Sequence, residues 1–137
     1  MALEDFSEGQ SASATRIISE ADVMAFAQVT GDFNPVHVDA DAAAQSPFGE
    51  RIVHGMLTAS LLSALLASEL PGPGAIYLSQ TLNFLRPVKL GDTVTAQVVI
   101  TAIDTARRRL TLATTVRNAR GKTVLDGEAV VQLPANG

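Results

Sequence analysis

The sequence predicts an α+β fold in which an antiparallel sheet wraps around one buried helix. Three observations support this prediction. Residues 56–70 have helical spacing and are apolar on most sides, which is typical of a buried helix. Residues 76–133 alternate between apolar and polar positions in segments separated by turn residues, as antiparallel strands do. The chain has 137 residues, 47% of them hydrophobic, so we expect a single domain spanning residues 1–137.

The first elements are a strand and an amphipathic helix. Residues 10–17 alternate loosely between small or polar and apolar side chains, which predicts a strand. Ser19 precedes Asp22 by three positions, a partial capping box, and apolar residues then follow at helical spacing. We therefore expect a helix over residues 20–30. Gly31 ends it, because glycine readily adopts the positive φ of a helix carboxyl terminus.

Two further helices are predicted before the strands begin. Asp39 is a good N-cap for a short alanine-rich helix that ends at Ser46-Pro47. Gly55 then opens the long helix, and residues 71–74, Pro-Gly-Pro-Gly, end it. The apolar stripe of the long helix consists of Leu57, Leu61, Leu62, Leu65 and Leu66.

Four strands follow, and their order along the chain favours an antiparallel meander. They are predicted over residues 76–85, 93–103, 109–118 and 123–133. In the first, one face should carry Ile76, Leu78, Leu82 and Phe84. Pro87 ends or bulges that strand, because proline cannot donate to a sheet.

Composition excludes several function classes. A net charge of −4 argues against nucleic acid or an anionic membrane as a partner, although a few local cations could still meet a small anionic ligand. The chain has no cysteine, so disulfides and thiol catalysis are excluded. The polar, acidic amino terminus is not a secretory signal, and the longest apolar run is too short to span a bilayer. We expect a soluble cytoplasmic protein.

Residues 31–37, Gly-Asp-Phe-Asn-Pro-Val-His, are the strongest candidate site. Glycine and proline constrain this loop at both ends, so Asp32 and His37 are predicted to hold fixed positions there. An ordinary loop aspartate and a packed histidine are the common alternative. The constrained loop and the presence of only two histidines favour acid–base work, since histidine titrates near neutrality and a carboxylate can orient an imidazole.

Gly55 is the second candidate. The first amides of a helix lack acceptors and carry partial positive charge, so an open Gly55 N–H could stabilise an oxyanion. A glycine that lets helix and sheet approach closely is an equally good interpretation. Ser63 on the same helix would ordinarily bond back to a helix carbonyl. The arginines at 107–109, like Arg86 and Lys89, are ordinarily solvated surface.

Other chemistries find no support in the sequence. The two histidines are not spaced as a metal site, so we expect no metal. There is no glycine-rich phosphate loop after a strand, so we expect no nucleotide cofactor. There is no Gly-x-Ser-x-Gly motif either, which makes a serine hydrolase a poor candidate.

The chain resembles the (R)-specific enoyl-CoA hydratases, the hydratase 2 branch of the MaoC-like dehydratase family. The matching stretches are residues 26–37 with Ala43, 51–57, 76–82 with Phe84, 87–88 and 91–94. The Gly-Asp-x-Asn-Pro-x-His motif is the most specific of them. The resemblance implies a hot-dog fold, an antiparallel sheet around a long central helix. It also implies a homodimer joined edge to edge, with active sites near the subunit interface.

The resemblance also implies roles for individual residues. Asp32 and His37 are expected to activate a water, with the Gly55 amide as oxyanion donor. The expected reaction is reversible hydration of a trans-2-enoyl-CoA to an (R)-3-hydroxyacyl-CoA. The acyl pocket is expected along the central helix and the last strand. The expected substrate-binding residues are Asn34, Leu62, Ser63 and Leu66.

Three alternatives stay open on sequence alone. The nearest is a dehydratase acting on 3-hydroxyacyl groups carried by acyl carrier protein. A hot-dog thioesterase would also use a carboxylate near a helix amino terminus, but it does not need the Asn-Pro-x-His segment. A non-catalytic acyl-CoA binder would need no acid–base pair. The expected partners are an acyl-CoA substrate and a second copy of the chain, in fatty acid metabolism, without nucleic acid or membrane.

Overall fold

A six-stranded antiparallel sheet forms the frame of the protein in the computed structural model, which describes residues 1–135. Its central order is β1-β4-β5-β6-β2, and β3 also pairs with β6. The strands are β1 (Ser11–Ile17), β2 (Ile76–Gln80), β3 (Asn83–Phe84), β4 (Thr93–Asp104), β5 (Arg109–Asn118) and β6 (Thr123–Gln132).

Four α-helices connect β1 to β2. They are α1 (Glu20–Thr30), α2 (Pro35–Val38), α3 (Ala40–Ala44) and α4 (Gly55–Ser68). A short 3-10 helix, Leu3–Asp5, precedes β1 and was not predicted. None of the helices in residues 1–135 has the length and apolar character needed to cross a membrane.

The core lies between α4 and the concave face of the sheet. Residues in β4 and β5 alternate between buried and half-buried, so every second side chain faces α4. The fully buried residues on these strands include Val94, Val98, Ile100, Leu110, Leu112 and Val116. Leu62, Leu65 and Leu66 of α4 pack into the same cluster. Burying each such leucine contributes about 1.5–3 kcal/mol to the stability of the fold. The α+β prediction is confirmed.

The opposite side of α4 is exposed in the single chain. Ser60, Ser63, Ala64 and Ala67 lie on that side, although the sequence predicted a helix buried on most of its surface. The small side chains therefore leave room beside the helix instead of packing into the core. Part of that room is a cavity described below.

The strand predicted over residues 76–85 is wrong in its length. The strand is interrupted between β2 and β3, where Thr81 crosses Gly127 of β6. The approach is so close that a β-carbon on Gly127 would lie 1.8 Å from the Thr81 carbonyl oxygen. The Gln80 side chain forms hydrogen bonds at this interruption. Its Nε2 donates to the Thr81 carbonyl at 2.8 Å and to Thr114 Oγ1 at 2.9 Å. Four apolar side chains at this edge are exposed: Ile76, Tyr77, Leu78 and Phe84.

The predicted meander describes only part of the sheet. β4, β5 and β6 follow one another as neighbours, but β1 pairs with β4 and β2 pairs with β6. The helical segment between β1 and β2 separates them, so they reach opposite sides of the three central strands.

Arg108 also departs from its prediction. It was expected on solvated surface, yet it is half-buried, at a positive φ of 54° in the β4–β5 hairpin. Its Nη2 donates to the carbonyls of Met1 and Pro134 at 2.6 and 2.8 Å. The side chain therefore ties both ends of the described chain to this hairpin.

Candidate active site

Asp32 lies directly after α1, on a turn whose geometry is fixed on both sides. Gly31 ends α1 with a φ of 80°, as predicted. The Asp32 amide donates to Thr30 Oγ1 at 3.2 Å, and Asp32 Oδ1 accepts from the Asn34 amide at 3.2 Å. The Asn34 side chain accepts in turn from the Val36 amide at 3.4 Å. The exposed Asp32 carboxylate is thus held in place by the backbone turn that carries it.

The amino terminus of α1, the helix that leads into this turn, is also fixed by local hydrogen bonds. Ser19 and Asp22 form the reciprocal capping box that the sequence suggested. The hydrogen bond from the Ser19 amide is the main reason that the pKa of Asp22 lies below its ordinary value. The box fixes one end of α1, and Gly31 fixes the other.

His37 lies on one turn of helix, where the sequence predicted a loop. Pro35 occupies the first position of α2 and Asn34 caps it, which makes the turn helical. The His37 side chain is buried, and its Nδ1 lies 2.8 Å from the Ile52 carbonyl oxygen. A carbonyl can only accept, so Nδ1 carries the proton and donates. In the neutral ring, Nε2 is left with a lone pair.

A second buried histidine, His54, lies against the first. Its Nε2 donates to the Asp32 carbonyl at 3.0 Å, and its ring stacks on His37 with centroids 4.0 Å apart and planes 29° apart. The centroids of the Phe26 and His54 rings lie 4.7 Å apart. His54 was not among the site residues predicted from the sequence. The available signal was its identity as the second of only two histidines, directly before the glycine that opens the long helix.

Gly55 is the first residue of α4, so its amide has no acceptor within the helix. The Phe84 ring packs against it, and a β-carbon at Gly55 would lie 2.7 Å from that ring. The close-approach interpretation of Gly55 is therefore confirmed. It is compatible with an amide that is open to a ligand.

Two cavities meet beside these residues. The first, of about 490 Å³, is lined by Asp32, His37, His54 and Gly55 and has apolar walls from the β2–β4 connection and β6. The second, of about 730 Å³, lies between α4 and β2. Asp32 and Met56 line both cavities. The Asp32 side chain therefore borders both cavities.

The expected substrate-binding residues fall in different places. Ser63 lines the second cavity. Leu62 and Leu66 belong to the core between α4 and the sheet and line neither cavity in the single chain. Asn34 acts as the α2 cap, outside both cavities. Contact of these three residues with substrate stays a prediction.

Two residues that the sequence did not select as site residues also line these spaces. Arg86 lines the first cavity while its Nη1 donates to the Thr123 carbonyl at 2.6 Å. Tyr77 lines the second cavity and donates its hydroxyl to Gln80 Oε1. Tyr77 is 39% exposed, and the partial burial of its side chain raises its pKa above the ordinary value of 10.0.

The polar cluster is suited to proton transfer. Asp32, His37 and His54 each place one nitrogen or oxygen within 4.8 Å of the others, so a metal ion is one ligand that they could hold. Each imidazole already uses one nitrogen on a backbone carbonyl, which leaves one nitrogen per ring. A water molecule held by a carboxylate and an imidazole lone pair uses the same atoms without any metal.

The chain is similar to known proteins over most of its length. The family model described as "MaoC like domain" matches residues 5–121. The chain is 50% identical to an (R)-specific enoyl-CoA hydratase of Rhodospirillum rubrum, over 98% of this chain and 92% of that one.

Two solved structures are similar throughout. The (R)-hydratase from A. caviae superimposes with a TM-score of 0.93 at 46% identity, covering 96% of this chain and 99% of that one. An R-hydratase from Pseudomonas aeruginosa gives a TM-score of 0.92 at 48% identity, with 98% and 86% covered. The chain belongs to the MaoC-like dehydratase family and has its hot-dog fold, a sheet wrapped around the central helix α4.

Proposed function

We propose that this protein is an (R)-specific enoyl-CoA hydratase, which reversibly adds water to trans-2-enoyl-CoA to give (R)-3-hydroxyacyl-CoA. One observation carries the proposal: the Asp32 carboxylate, the His37 imidazole and Gly55 line the same cavity. Hydration of a conjugated thioester needs a base for water and a donor for the carbonyl oxygen, and these residues supply both. All three similar proteins described above are named as hydratases of this kind or as (R)-hydratases.

The start of α4 would stabilise the charge that develops during the reaction. The thioester oxygen accepts from the Gly55 amide, and the partial positive charge at the amino terminus of this 14-residue helix adds to that interaction. Negative charge grows on this oxygen when water attacks the β-carbon. One such donor is typically worth about 100- to 1,000-fold in rate.

The water would lie between Asp32 and His37. His37 Nε2 offers a lone pair because Nδ1 is bound to the Ile52 carbonyl, and the Asp32 carboxylate offers a second acceptor. One of the two groups takes a proton as the water oxygen bonds to the β-carbon. The electrons of the carbon–carbon double bond move to the thioester oxygen. Their return, with a proton delivered to the α-carbon, completes the hydroxyacyl product.

The active form is proposed to be a homodimer joined along β2. Its proposed location is the cytoplasm, and its proposed role is in fatty acid metabolism. β2 ends the central strand order and exposes Ile76, Tyr77 and Leu78. Exposed apolar edge strands favour pairing with another strand, and a second copy presents the same edge. Size-exclusion chromatography with light scattering checks this: a mass near 14.3 kDa would contradict a dimer.

The activity is tested with crotonyl-CoA. Loss of the conjugated thioester absorbance, without free thiol and with the (R)-alcohol as product, would support the hydratase. Release of free thiol would instead indicate a thioesterase. Activity restricted to enoyl groups on acyl carrier protein would indicate the dehydratase of that carrier. Binding without turnover would indicate an acyl-CoA binder.

A further inference from the structure

Two polar atoms beside the catalytic pair have no partner within residues 1–135. They are His54 Nδ1 and Thr58 Oγ1, and both are fully enclosed. His54 and Thr58 are 1% and 2% exposed, and both residues line the first cavity. A buried polar atom without a hydrogen-bond partner lowers the stability of the fold, so each of these two atoms calls for an explanation.

The other nitrogen of His54 defines what this pair can bind. Nε2 donates to the Asp32 carbonyl, so in the neutral ring Nδ1 holds a lone pair and accepts. The Thr58 hydroxyl both donates and accepts. Thr58 follows His54 by four positions, one turn further along α4, so the two side chains share one side of the helix start. Nε2 is therefore the ring nitrogen of His54 that has a partner within residues 1–135, and the ring proton lies there.

His54 also joins the two halves of the proposed site. It occupies the N-cap position of α4, directly before Gly55, while its ring donates to the Asp32 carbonyl and stacks on His37. A displacement of the His54 ring would therefore have two effects at once. It would move the Asp32 turn, and it would leave one face of the His37 ring without its stacking partner. Neither effect requires His54 to touch the substrate.

We infer that His54 is a positioning residue that holds Asp32 and His37 in register with the Gly55 amide. The hydrogen bond from Nε2 to the Asp32 carbonyl fixes the tautomer of His54. The role in turnover rests on the proposed function, whereas the tautomer is a property of the resting protein.

Kinetics on crotonyl-CoA separate the two contacts of His54. His54→Phe keeps an aromatic ring but loses the donor to Asp32, and we expect kcat to fall at least 20-fold while KM changes less than threefold. His54→Gln keeps an N–H near the Nε2 position, and we expect it to recover at least a fifth of the wild-type kcat. Val116→Ala is the control, because it loosens the core but lines neither cavity.

The inference is overturned if His54→Phe keeps more than half of the wild-type kcat. It is also overturned if His54→Gln and His54→Phe are equally slow, since the donor would then be irrelevant. If His54→Phe does not fold, His54→Gln decides instead, together with the imidazole tautomers. The inference expects at least a fifth of the wild-type kcat for His54→Gln, and a lower value would overturn it.

Imidazole nitrogen NMR tests the resting protein without any substrate. We expect the proton of His37 on Nδ1 and that of His54 on Nε2, because these nitrogens face backbone carbonyls. The opposite tautomer at His54 would overturn the inference. If the wild type shows the expected tautomers but hydrates no enoyl thioester, only the proposed function has failed.

Discussion

The Phe84 ring packs against the α-carbon of Gly55, so that a methyl group added there would lie 2.7 Å from the ring. A residue on a short strand of the sheet thus sets how closely the start of α4 can approach. This contact therefore borders the space that we propose for the thioester oxygen.

We expect Gly55→Ala to lower kcat on crotonyl-CoA by about 100-fold. The new methyl must displace either the ring or the helix start, and misplacing reacting groups by about 1 Å costs about that factor. The double variant with Phe84→Ala should recover part of the loss, because the colliding ring is gone. A wild-type kcat in Gly55→Ala would show that this amide position is not used.

Asp32→Asn and His37→Gln should each lower kcat by about 100- to 10,000-fold, the usual range for general acid–base groups. Circular dichroism should show the native fold in both variants. Asp39→Asn is the matched control, since Asp39 caps α3 and lines neither cavity. Near-normal turnover in either site variant would contradict the assignment.

Filling the second cavity should change which acyl chains are accepted. Ser63→Leu places four carbons where the wild type has a hydroxymethyl group, so kcat/KM for eight-carbon enoyl-CoA should fall at least tenfold more than for crotonyl-CoA. Ser68→Leu makes the same change at the exposed end of α4, outside both cavities, and should leave the ratio unchanged. An unchanged ratio in Ser63→Leu would mean that the acyl chain lies elsewhere.

Tyr77 should make stability fall at alkaline pH. Burial raises its pKa in the folded state, so the fold favours the neutral phenol. The stabilising effect is complete below the unfolded value of about 10 and is lost as pH rises through the folded pKa. Urea unfolding between pH 8 and 11 should show a steeper decline for wild type than for Tyr77→Phe. Parallel curves for the two proteins would contradict this.

Local signals predicted most of the elements. Ser19 and Gly31 carry the cap chemistry of α1, and glycine and proline bound α4, so those helices could be placed from neighbouring residues alone. The β4, β5 and β6 strands follow from alternation and clear turns. The Asp32–His37 segment was found because proline and glycine constrain it locally.

The features that were missed depend on residues far apart in the chain. β2 ends where Thr81 crosses Gly127, and nothing in residues 76–85 indicates that crossing. His54 meets the Asp32 carbonyl only after α4 packs beside α1 and α2. A pattern of neighbouring residues could not locate either contact, because each is made by the tertiary fold.

The second cavity is walled by α4 on one side and by the exposed edge strand β2 on the other. Whatever covers β2 would therefore also close the space proposed for the acyl chain, and Asp32 lines that cavity too. Assembly would then shape the substrate range and the surroundings of the carboxylate together. A dissociated subunit would lose both its discrimination between short and long chains and the enclosure of Asp32.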